Sequence, residues 1–284
     1  MSALDRRMDL RNAVLQYCPS DRPGVARLII DQSHPFFFDH PLDHVPGLLL
    51  LESAVQAAQN CATAPCYVSA VRADFIQYVL FDAPVTVETY TAEKNGRLCC
   101  KVEIHQTGKQ RARIEVELTR QLRPLPKRET FQPGHGLPPC DGKPLNKVRP
   151  ENVLITTPVV TDDHIETRLL PISSRCLFAD TTQAVHPLYL LECFMQVQRY
   201  LNATADGDHR IRDILTGVTI EQVEPLADLS QGVFLRGARQ FSDVGRGRLS
   251  RSAWLYAAQK PFAKCSIHTA RVQSRAKKSV QGEA

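Results

Sequence analysis

The sequence contains two related halves, and this internal repeat constrains the fold more than any other feature. Residues 26–39 (ARLIIDQSHPFFFD) align with residues 167–180 (TRLLPISSRCLFAD), and residues 48–56 (LLLLESAVQ) align with residues 188–196 (LYLLECFMQ). The two alignments have nearly the same offset, 141 and 140 residues. The identical pairs are Arg27/Arg168, Leu28/Leu169, Ser33/Ser174, Phe37/Phe178, Asp39/Asp180, Leu48/Leu188, Leu50/Leu190, Leu51/Leu191, Glu52/Glu192 and Gln56/Gln196. Self-similarity at one period indicates a tandem duplication.

Both halves show the same order of elements, with one long apolar helix among several strands. The helix is predicted over residues 46–62 and again over residues 187–201. Alternating apolar residues, with hairpin turns at Lys94-Asn95-Gly96 and Thr107-Gly108-Lys109, predict antiparallel strands. The predicted strands span residues 24–32, 66–79, 84–93, 98–106 and 112–122 in the first half, and 166–172, 216–223, 233–241, 248–258 and 262–272 in the second. The expected fold class is therefore α+β.

A proline-rich segment separates the two halves. Residues 123–150 contain seven prolines and no periodic apolar pattern, which predicts a linker. The first repeat then spans residues 1–122, and the second spans residues 151–284 and ends in a basic tail that contains RAKKS. The linker is long enough for the two repeats to pair within one chain, so the sequence is compatible with a monomer or a dimer.

The composition is that of a globular protein and argues against several functional classes. The chain has 284 residues, 43% hydrophobic residues and a net charge of +5, with lysine and arginine scattered along it, so nucleic-acid binding is not expected. No apolar run reaches the ~20 residues of a transmembrane helix, and the charged start of the chain does not resemble a signal peptide. Nine cysteines without a CxxC pair indicate reduced thiols. We therefore expect a cytoplasmic protein with no membrane contact, metal or cofactor.

A single carboxylate, Glu52, lies within the apolar helix of the first repeat. Gln56 follows four residues later, which places both side chains on one face of the helix. A buried ionised carboxylate costs several kcal/mol unless it is paired or hydrogen-bonded, and burial raises its pKa toward the range used in acid–base catalysis. Glu52 therefore either fixes the packing of the helix through hydrogen bonds or takes part in catalysis.

The segment before this helix supplies further candidate catalytic groups. His40 and His44 each follow an aspartate, Asp39 and Asp43, in the string FDHPLDHVPG. An adjacent carboxylate can hold an imidazole in one tautomer. At Gly47 the helix begins, and free N–H groups at a helix N-terminus stabilise a developing oxyanion. An imidazole, a carboxylate and an oxyanion site within one short segment indicate an active site, although His44 and Asp39 also suit structural roles beside the helix start.

These residues resemble two groups of hotdog proteins. The Pro-Gly start of the helix, with its Glu and Gln, is similar to the helix of hotdog 3-hydroxyacyl-carrier-protein dehydratases. The string from Phe38 to Gly47, the LLLE that follows it and Phe81-Asp82-Ala83-Pro84 more closely resemble the A-factor biosynthesis hotdog family. That resemblance implies a double hotdog fold, in which each repeat wraps an antiparallel sheet around a long buried helix.

The family resemblance also implies an activity. Members of the family are similar to acyltransferases that move a β-ketoacyl chain from acyl carrier protein to a hydroxyl of dihydroxyacetone phosphate, on a route to butenolides and γ-butyrolactone-type signals. The implied partners are an acyl carrier protein or CoA thioester and a small phosphorylated hydroxy acceptor. In the family the complete DHxxDHxPG string usually occurs in the second repeat, whereas here it occurs in the first.

The implied reaction assigns roles to the candidate residues. The thioester carbonyl is expected over the N–H groups of Gly47 and Leu48, and His40 or Glu52 is expected to remove the proton of the acceptor hydroxyl. The other candidates are Gln56 to orient the acid–base group, Asp39, Asp43 and His44 in supporting roles, and Arg72 for the phosphate.

Other functions are compatible with the same residues. Dehydration or hydrolysis of an acyl thioester is one alternative, and a non-catalytic acyl- or lactone-binding module is another. The second repeat keeps Glu192 and Gln196 but has no equivalent of His40, because Asp180 or Thr181 stands at that position. We expect this repeat to be inactive, with Glu192 important mainly for stability; the alternative is that it completes the first site.

Overall fold

The structure, a computed structural model, describes residues 3–18, 22–121, 125, 137–181, 183–204, 211–229, 232–245 and 247–273. Its helices are α1 (Gly47–Cys61) and α2 (Pro187–Thr204). Its strands are β1 (Leu15–Gln16), β2 (Val25–Leu28), β3 (Cys66–Phe75), β4 (Val85–Lys94), β5 (Arg97–Gln106), β6 (Lys109–Arg120), β7 (Val159–Val160), β8 (His164–Arg168), β9 (Ile211–Gln222), β10 (Phe234–Ala238), β11 (Ser242–Asp243), β12 (Arg248–Ala257) and β13 (Lys260–Gln273). The predicted basic tail, at residues 275–279, lies outside the described residues. So do residues 123–124 and 126–136 of the predicted linker.

The strands form one continuous antiparallel sheet in which the second half mirrors the first. The strand order is β1-β2-β4-β5-β6-β3-β9-β13-β12-β10-β8-β7, and β11 pairs with β12. Strands β3 and β9 meet at the centre, where Val71 lies opposite Ile220 and Ala73 lies opposite Val218. Outward from this junction, β6, β5, β4 and β2 on one side correspond to β13, β12, β10 and β8 on the other. The predicted α+β class and the duplicated order of elements are confirmed.

Helix α1 packs against strands β3 to β6 and forms the centre of the core in the first half. Most of its residues are buried, and Leu49, Ala54 and Val55 are 1% exposed or less. Alternate residues of the strands are buried with it, such as Val102 and Ile104 in β5. Because apolar side chains surround the helix on most sides, contact with both the sheet and α2 removes them from water.

The hairpin turns occur where the sequence predicts them. Asn95 and Gly96, between β4 and β5, have φ angles of 51° and 72°, and Thr107 and Gly108, between β5 and β6, have φ angles of 52° and 71°. Positive φ at two successive residues gives a turn whose twist matches that of the flanking strands. These turns set the register in which the buried residues of β4, β5 and β6 face α1.

Part of the predicted linker packs against the rest of the protein. Leu145 is fully buried, and the N–H of Cys140 donates to the carbonyl of Ile155 at 3.0 Å. The φ of 54° at Asn146 turns the chain back on itself. Residues 140–150 are therefore anchored to the core, because Cys140 and Leu145 are buried and backbone groups of the segment are hydrogen-bonded.

This segment is the counterpart of the N-terminal region of the chain. Gln56 Nε2 donates to the carbonyl of Asn12 at 2.8 Å, and Gln196 Nε2 donates to the carbonyl of Asn152 at 2.8 Å. The four residues keep the 140-residue offset of the two helices. Lys147, which lies within the predicted linker, keeps the same offset from Arg7, and each of the two binds the glutamate of a helix. The duplication therefore extends into residues that the sequence pattern assigns to a linker.

The helices and the cysteines bear on how the chain is held together and on whether a helix could cross a membrane. Neither helix in the described part of the chain is both long and apolar enough to cross a membrane. All nine cysteines are free thiols, and six of them are buried. Packing, rather than cross-links between cysteines, therefore holds the fold together.

Candidate active site

A cavity of about 200 Å³ lies between the start of α1 and the middle of α2. Its walls come from the loop at residues 36–46, from both helices, and from β3 and β9. Its apolar lining includes Leu48, Leu51, Leu191, Met195 and Val218. Its polar lining includes Asp39, His40, Asn146, Lys147, Glu192 and Arg199. The cavity is therefore assembled from both halves of the chain.

His40 lines this cavity with one ring nitrogen hydrogen-bonded. Asn146 Nδ2 donates to His40 Nε2 at 3.0 Å, so Nε2 is the unprotonated nitrogen and Nδ1 carries the hydrogen. Nδ1 is buried and has no hydrogen-bond partner among the described residues. Partial burial, followed by the nearby charges of Arg199 and Lys147, lowers the pKa of His40. The imidazole is therefore neutral near pH 7 and has a lone pair that can accept a proton.

Glu192 of α2 lies in the same cavity and binds two basic side chains. Lys147 Nζ and Arg199 Nη1 contact its Oε1 at 3.1 Å and 2.6 Å, and Gln196 Nε2 donates to the same atom at 3.3 Å. Burial by itself would raise the pKa of Glu192, but Arg199 and Lys147 outweigh it and lower the pKa to about 2. Such a carboxylate is a weak base, so its effect here is to hold the two cations in place.

The first residues of α1, Gly47 and Leu48, also line the cavity. Pro46 is the N-cap residue, and it offers no side-chain hydrogen bond to the helix. The N–H of Leu49 donates to the Pro46 carbonyl at 2.9 Å, whereas the N–H groups of Gly47 and Leu48 have no acceptor within the described ranges. The ring of Phe75 packs against Gly47, where a Cβ would lie 3.2 Å from Phe75 Cζ. The helix start thus presents two free donors that suit an oxyanion.

The aspartates next to the two histidines make different contacts. Asp39 is buried, and its carboxylate oxygens accept the N–H groups of Val148 at 3.2 Å and Arg149 at 3.0 Å. It therefore fixes the backbone that follows Lys147 rather than the ring of its neighbouring histidine. Asp43 is exposed at the surface and contacts His44 Nδ1 at 2.6 Å.

Glu52 does not line the cavity but belongs to a second, enclosed polar cluster. Arg7 Nε and Nη2 bind its two carboxylate oxygens at 2.9 Å each, and Gln56 Nε2 donates to Oε1 at 2.8 Å. His186 Nε2 lies 3.8 Å from Oε2, and neither side chain is exposed. Burial would raise the pKa of Glu52, but the Arg7 guanidinium outweighs it and the pKa falls to about 2. Burial, and then Arg7, lower the pKa of His186 to about 3, so the cluster is an ion pair beside a neutral imidazole.

The structure therefore separates the two residues that the sequence predicts as alternative bases of one site. His40 shares its cavity with Glu192, while Glu52 contacts Arg7 and lies near His186. Each helix glutamate thus lies near the loop of the other repeat, because α1 and α2 contact each other. The alternative that the second repeat completes the first site fits this geometry, since α2 supplies one wall of the cavity.

Arg72, the phosphate candidate from the sequence, also lies outside the cavity. Its Nη1 binds Glu117 Oε1 at 2.5 Å, and its Nη2 binds Glu221 Oε1 at 2.7 Å. Glu117 on β6 and Glu221 on β9 both lie opposite Ala70 of β3, so Arg72 pairs with them diagonally across the sheet. The basic residues that do line the cavity are Lys147 and Arg199.

Sequence reasoning misses three polar residues of the cavity: Asn146, Lys147 and Arg199. The first two lie in the segment that reads as a linker. The 140-residue offset of the helices would have pointed to Lys147, because it aligns with Arg7 at the start of the chain. No such signal exists for Arg199, since Gln59 stands at the equivalent position of α1.

Comparison with protein families identifies the first half of the chain. A family model described as the A-factor biosynthesis hotdog domain matches residues 7–121. Residues 7–121 belong to the A-factor biosynthesis hotdog family. The resemblance carried by FDHPLDHVPG is therefore confirmed. The region matched to the A-factor biosynthesis hotdog family contains His40 and α1, but not α2.

Curated relatives in Streptomyces share the name of an enzyme. A 2-oxo-3-(phosphooxy)propyl 3-oxoalkanoate synthase of Streptomyces virginiae is 40% identical over 90 residues, which cover 31% of this chain and 31% of that protein. A protein of the same name from Streptomyces coelicolor is 40% identical over 92 residues, which cover 31% of this chain and 29% of that protein. The chain thus spans about a third of the length of the curated relatives it matches.

Solved structures of similar fold extend over nearly the whole chain. The dehydratase domain of the polyketide PpsC from Mycobacterium tuberculosis has a TM-score of 0.57 at 16% identity, covering 92% of this chain and 97% of that one. An acyl-CoA thioesterase II from Mycobacterium marinum has a TM-score of 0.56 at 9% identity, covering 97% of this chain and 100% of that one. At these identities the likeness concerns the fold alone. Together with the match to the A-factor biosynthesis hotdog family, it confirms the hotdog fold.

Proposed function

We propose that the chain is an acyltransferase that moves a 3-oxoacyl group from an acyl carrier protein or CoA thioester to a hydroxyl of dihydroxyacetone phosphate or a similar acceptor. One observation carries the proposal: the neutral imidazole of His40 and the uncapped start of α1 lie in one cavity that also has an apolar wall. The name of the curated relatives describes the ester that this reaction would form. Such an ester would serve the biosynthesis of butenolides or γ-butyrolactone-type signals.

His40 is the general base in this proposal. Its Nε2 lone pair accepts a hydrogen bond from Asn146 in the free protein, and the acceptor hydroxyl takes the place of that donor when the substrate binds. Proton transfer to His40 then accompanies attack of the hydroxyl oxygen on the thioester carbon. Glu192 and Glu52 are poor bases, because paired cations lower the pKa of each carboxyl to about 2.

The start of α1 stabilises the charge that develops during this attack. The thioester carbonyl lies over the N–H groups of Gly47 and Leu48, and the partial positive charge of the helix N-terminus favours the tetrahedral oxyanion. When this intermediate collapses, the thiolate leaves and takes the proton from His40. The apolar residues of α1, α2 and β9 provide the surface against which the acyl chain packs.

The two repeats act as one unit in this proposal. They form a double hotdog within one chain, in which the first repeat provides His40 and the helix start while the second provides Glu192 and Arg199 on α2. The pairing of β3 with β9 supports this arrangement, because it joins the two halves of the sheet. An acidic carrier protein or a CoA thioester would deliver the acyl group, and the protein would act in the cytoplasm.

Product analysis tests the proposal. The purified protein is incubated with a 3-oxoacyl thioester, with and without dihydroxyacetone phosphate, and the products are identified by mass spectrometry. We expect an ester that forms only in the presence of the acceptor. Release of the free acid at the same rate with and without the acceptor would identify a thioesterase, and loss of water from a 3-hydroxyacyl thioester would identify a dehydratase.

Substitution of the proposed base provides the matched control. His40→Ala should lower ester formation by roughly 10²- to 10⁴-fold, the usual contribution of general acid–base catalysis. His105→Ala, on strand β5 and outside the cavity, should leave the rate unchanged, because the polar partner of that imidazole is Glu103, with Nε2 3.4 Å from Oε2. Normal ester formation by folded His40→Ala protein would refute the proposed role of this residue.

A further inference from the structure

The cavity holds one more basic side chain than the enclosed cluster does. Lys147 Nζ and Arg199 Nη1 both contact Oε1 of Glu192, at 3.1 Å and 2.6 Å. In the enclosed cluster, Arg7 is the one arginine or lysine among the described residues that binds Glu52, and it contacts both carboxylate oxygens. Since the two clusters are related by the repeat, the second cation of the cavity needs a separate explanation.

Arg199 is this additional cation. The residue at the equivalent position of α1 is Gln59, which is buried and donates to Asp5 Oδ1 at 2.8 Å. The side chain of Arg199 is 32% exposed, and within the described part of the chain only its Nη1 has a partner. Because Arg199 lines the cavity, its Nε and Nη2 donors are available to a ligand there.

The charge of the cavity also depends on His40, on Asp39 and on the start of α1. The imidazole of His40 is neutral near pH 7 because its pKa is lowered. Asp39 supplies a second negative charge, but both of its oxygens accept backbone N–H groups and need no cation. The start of α1 adds partial positive charge on the opposite wall. The arrangement favours a ligand that carries a negative charge.

We propose that Arg199 binds the phosphate of the acyl acceptor, with Lys147 as the second cation of an anion-binding subsite. This inference rests on the proposed function, because it assigns the acceptor's phosphate to a residue of that cavity. A guanidinium can keep one N–H on Glu192 while the others bind two phosphate oxygens in a planar fork. Holding the phosphate against α2 would direct the acceptor's hydroxyl across the cavity toward His40 and the start of α1.

Binding of dihydroxyacetone phosphate in the absence of any thioester tests the subsite directly. Isothermal titration calorimetry with dihydroxyacetone phosphate, and separately with inorganic phosphate, should show binding to the wild-type protein. Arg199→Gln introduces the residue found at the equivalent position of α1 and should weaken binding roughly 10- to 100-fold. Arg199→Lys keeps the charge but not the fork, so a smaller loss is expected. Arg236→Gln, which removes an arginine paired with Glu166 outside the cavity, is the matched control and should leave binding unchanged.

Steady-state kinetics give a second readout. Wild-type protein should prefer dihydroxyacetone phosphate over dihydroxyacetone as the acceptor. Arg199→Gln should lose this preference through a higher KM for the phosphorylated acceptor, with the KM for the thioester unchanged. A general structural effect would alter both KM values.

Several results would overturn the assignment. One is that neither anion binds measurably to wild-type protein. Another is that folded Arg199→Gln and Arg199→Lys proteins keep the wild-type affinity. The third is that Arg236→Gln loses as much affinity as Arg199→Gln, or that Arg72→Gln loses affinity while Arg199→Gln does not. The two proposals fail separately. Anion binding that depends on Arg199, without acyl transfer, would support the subsite and refute the acyltransferase. Acyl transfer to dihydroxyacetone phosphate that does not depend on Arg199 would support the acyltransferase and refute the subsite.

Discussion

Arg7 and Lys147 occupy equivalent positions in the two repeats, 140 residues apart, and each forms an ion pair with the buried glutamate of a helix. Arg7 binds both carboxylate oxygens of Glu52, so that cluster is closed. Lys147 binds one oxygen of Glu192, and this second cluster lies on a cavity. The duplicated framework therefore carries one structural ion pair and one candidate active site.

The Arg7–Glu52 pair should stabilise the fold without taking part in catalysis. Arg7 Nη1 also donates to the carbonyl oxygens of Leu177 at 3.0 Å and Asp180 at 3.1 Å, which links the start of the chain to the second repeat. Arg7→Met and Glu52→Leu should each lower the free energy of unfolding by about 3–5 kcal/mol, because each leaves one charge buried without its partner. The double variant should lose less stability than the sum of the two single losses, because no unpaired buried charge remains. Denaturant unfolding of the four proteins measures this cycle, and additive losses would contradict it.

Glu192 should be more important for turnover than its counterpart Glu52. Glu192→Gln removes the charge that holds Lys147 and Arg199 at one wall of the cavity, so the rate of acyl transfer should fall about tenfold or more. Glu52→Gln is the matched control at the equivalent helix position, and it should destabilise the protein while the folded fraction keeps its rate. Kinetics corrected for the folded fraction, measured by circular dichroism, compare the two. Equal effects on the corrected rate would mean that the enclosed cluster also serves the reaction.

Acid should destabilise the protein in a pH range set partly by His186. Its pKa in the folded state is lowered to about 3 from an ordinary 6.5. Between these two pH values His186 is therefore protonated in the unfolded chain and neutral in the folded chain. The contribution of His186 to the free energy of unfolding should be fully present above about pH 6.5. Below that pH it should fall by up to about 1.4 kcal/mol per pH unit. Asp5 acts in the opposite direction below pH 6, because burial raises its pKa to about 6 and the folded state then takes up the proton more readily.

Comparison with a His186 variant isolates this contribution. His186 Nδ1 accepts the N–H of Leu188 at 3.3 Å near the start of α2, and Asn can accept a similar hydrogen bond at a helix start. His186→Asn should therefore lose less stability than wild-type protein between pH 7 and pH 5. Asp5 and the other histidines are common to both proteins, so their effects cancel in the difference. Parallel curves from denaturant titrations at each pH would show that His186 does not contribute.

Close packing of Phe75 on Gly47 should control the position of the oxyanion donors. A Cβ added at Gly47 would lie 3.2 Å from Phe75 Cζ, closer than ordinary van der Waals contact. Gly47→Ala should therefore shift the ring or the start of α1 and lower kcat about tenfold, since small displacements of catalytic groups are costly. Phe75→Leu in the Gly47→Ala background should restore part of the rate by making room. No recovery in the double variant would mean that the ring does not transmit the effect.

Local patterns in the sequence predict most of the secondary structure. Residues 46–62 predict the helix observed over Gly47–Cys61, and residues 112–122 predict most of the strand observed over Lys109–Arg120. The two hairpin turns on either side of β5 occur at the predicted residues. These features depend on the period of apolar side chains and on glycine in turns, both of which act between residues that are close in the sequence.

The sequence by itself determined the duplication, the order of helix and strands, and the segment around His40 and Gly47 that belongs to the A-factor biosynthesis hotdog family. Only the tertiary structure decided which carboxylate lies in the cavity with His40. Glu52 and Glu192 each follow two leucines and stand four residues before a glutamine, so the helix pattern alone does not show which carboxylate faces His40. The difference arises because the two helices meet where β3 pairs with β9, and each glutamate is then surrounded by residues distant in the sequence. Such contacts depend on packing between the repeats, and for this reason the enclosed ion pair and the open cavity become visible only in the folded chain.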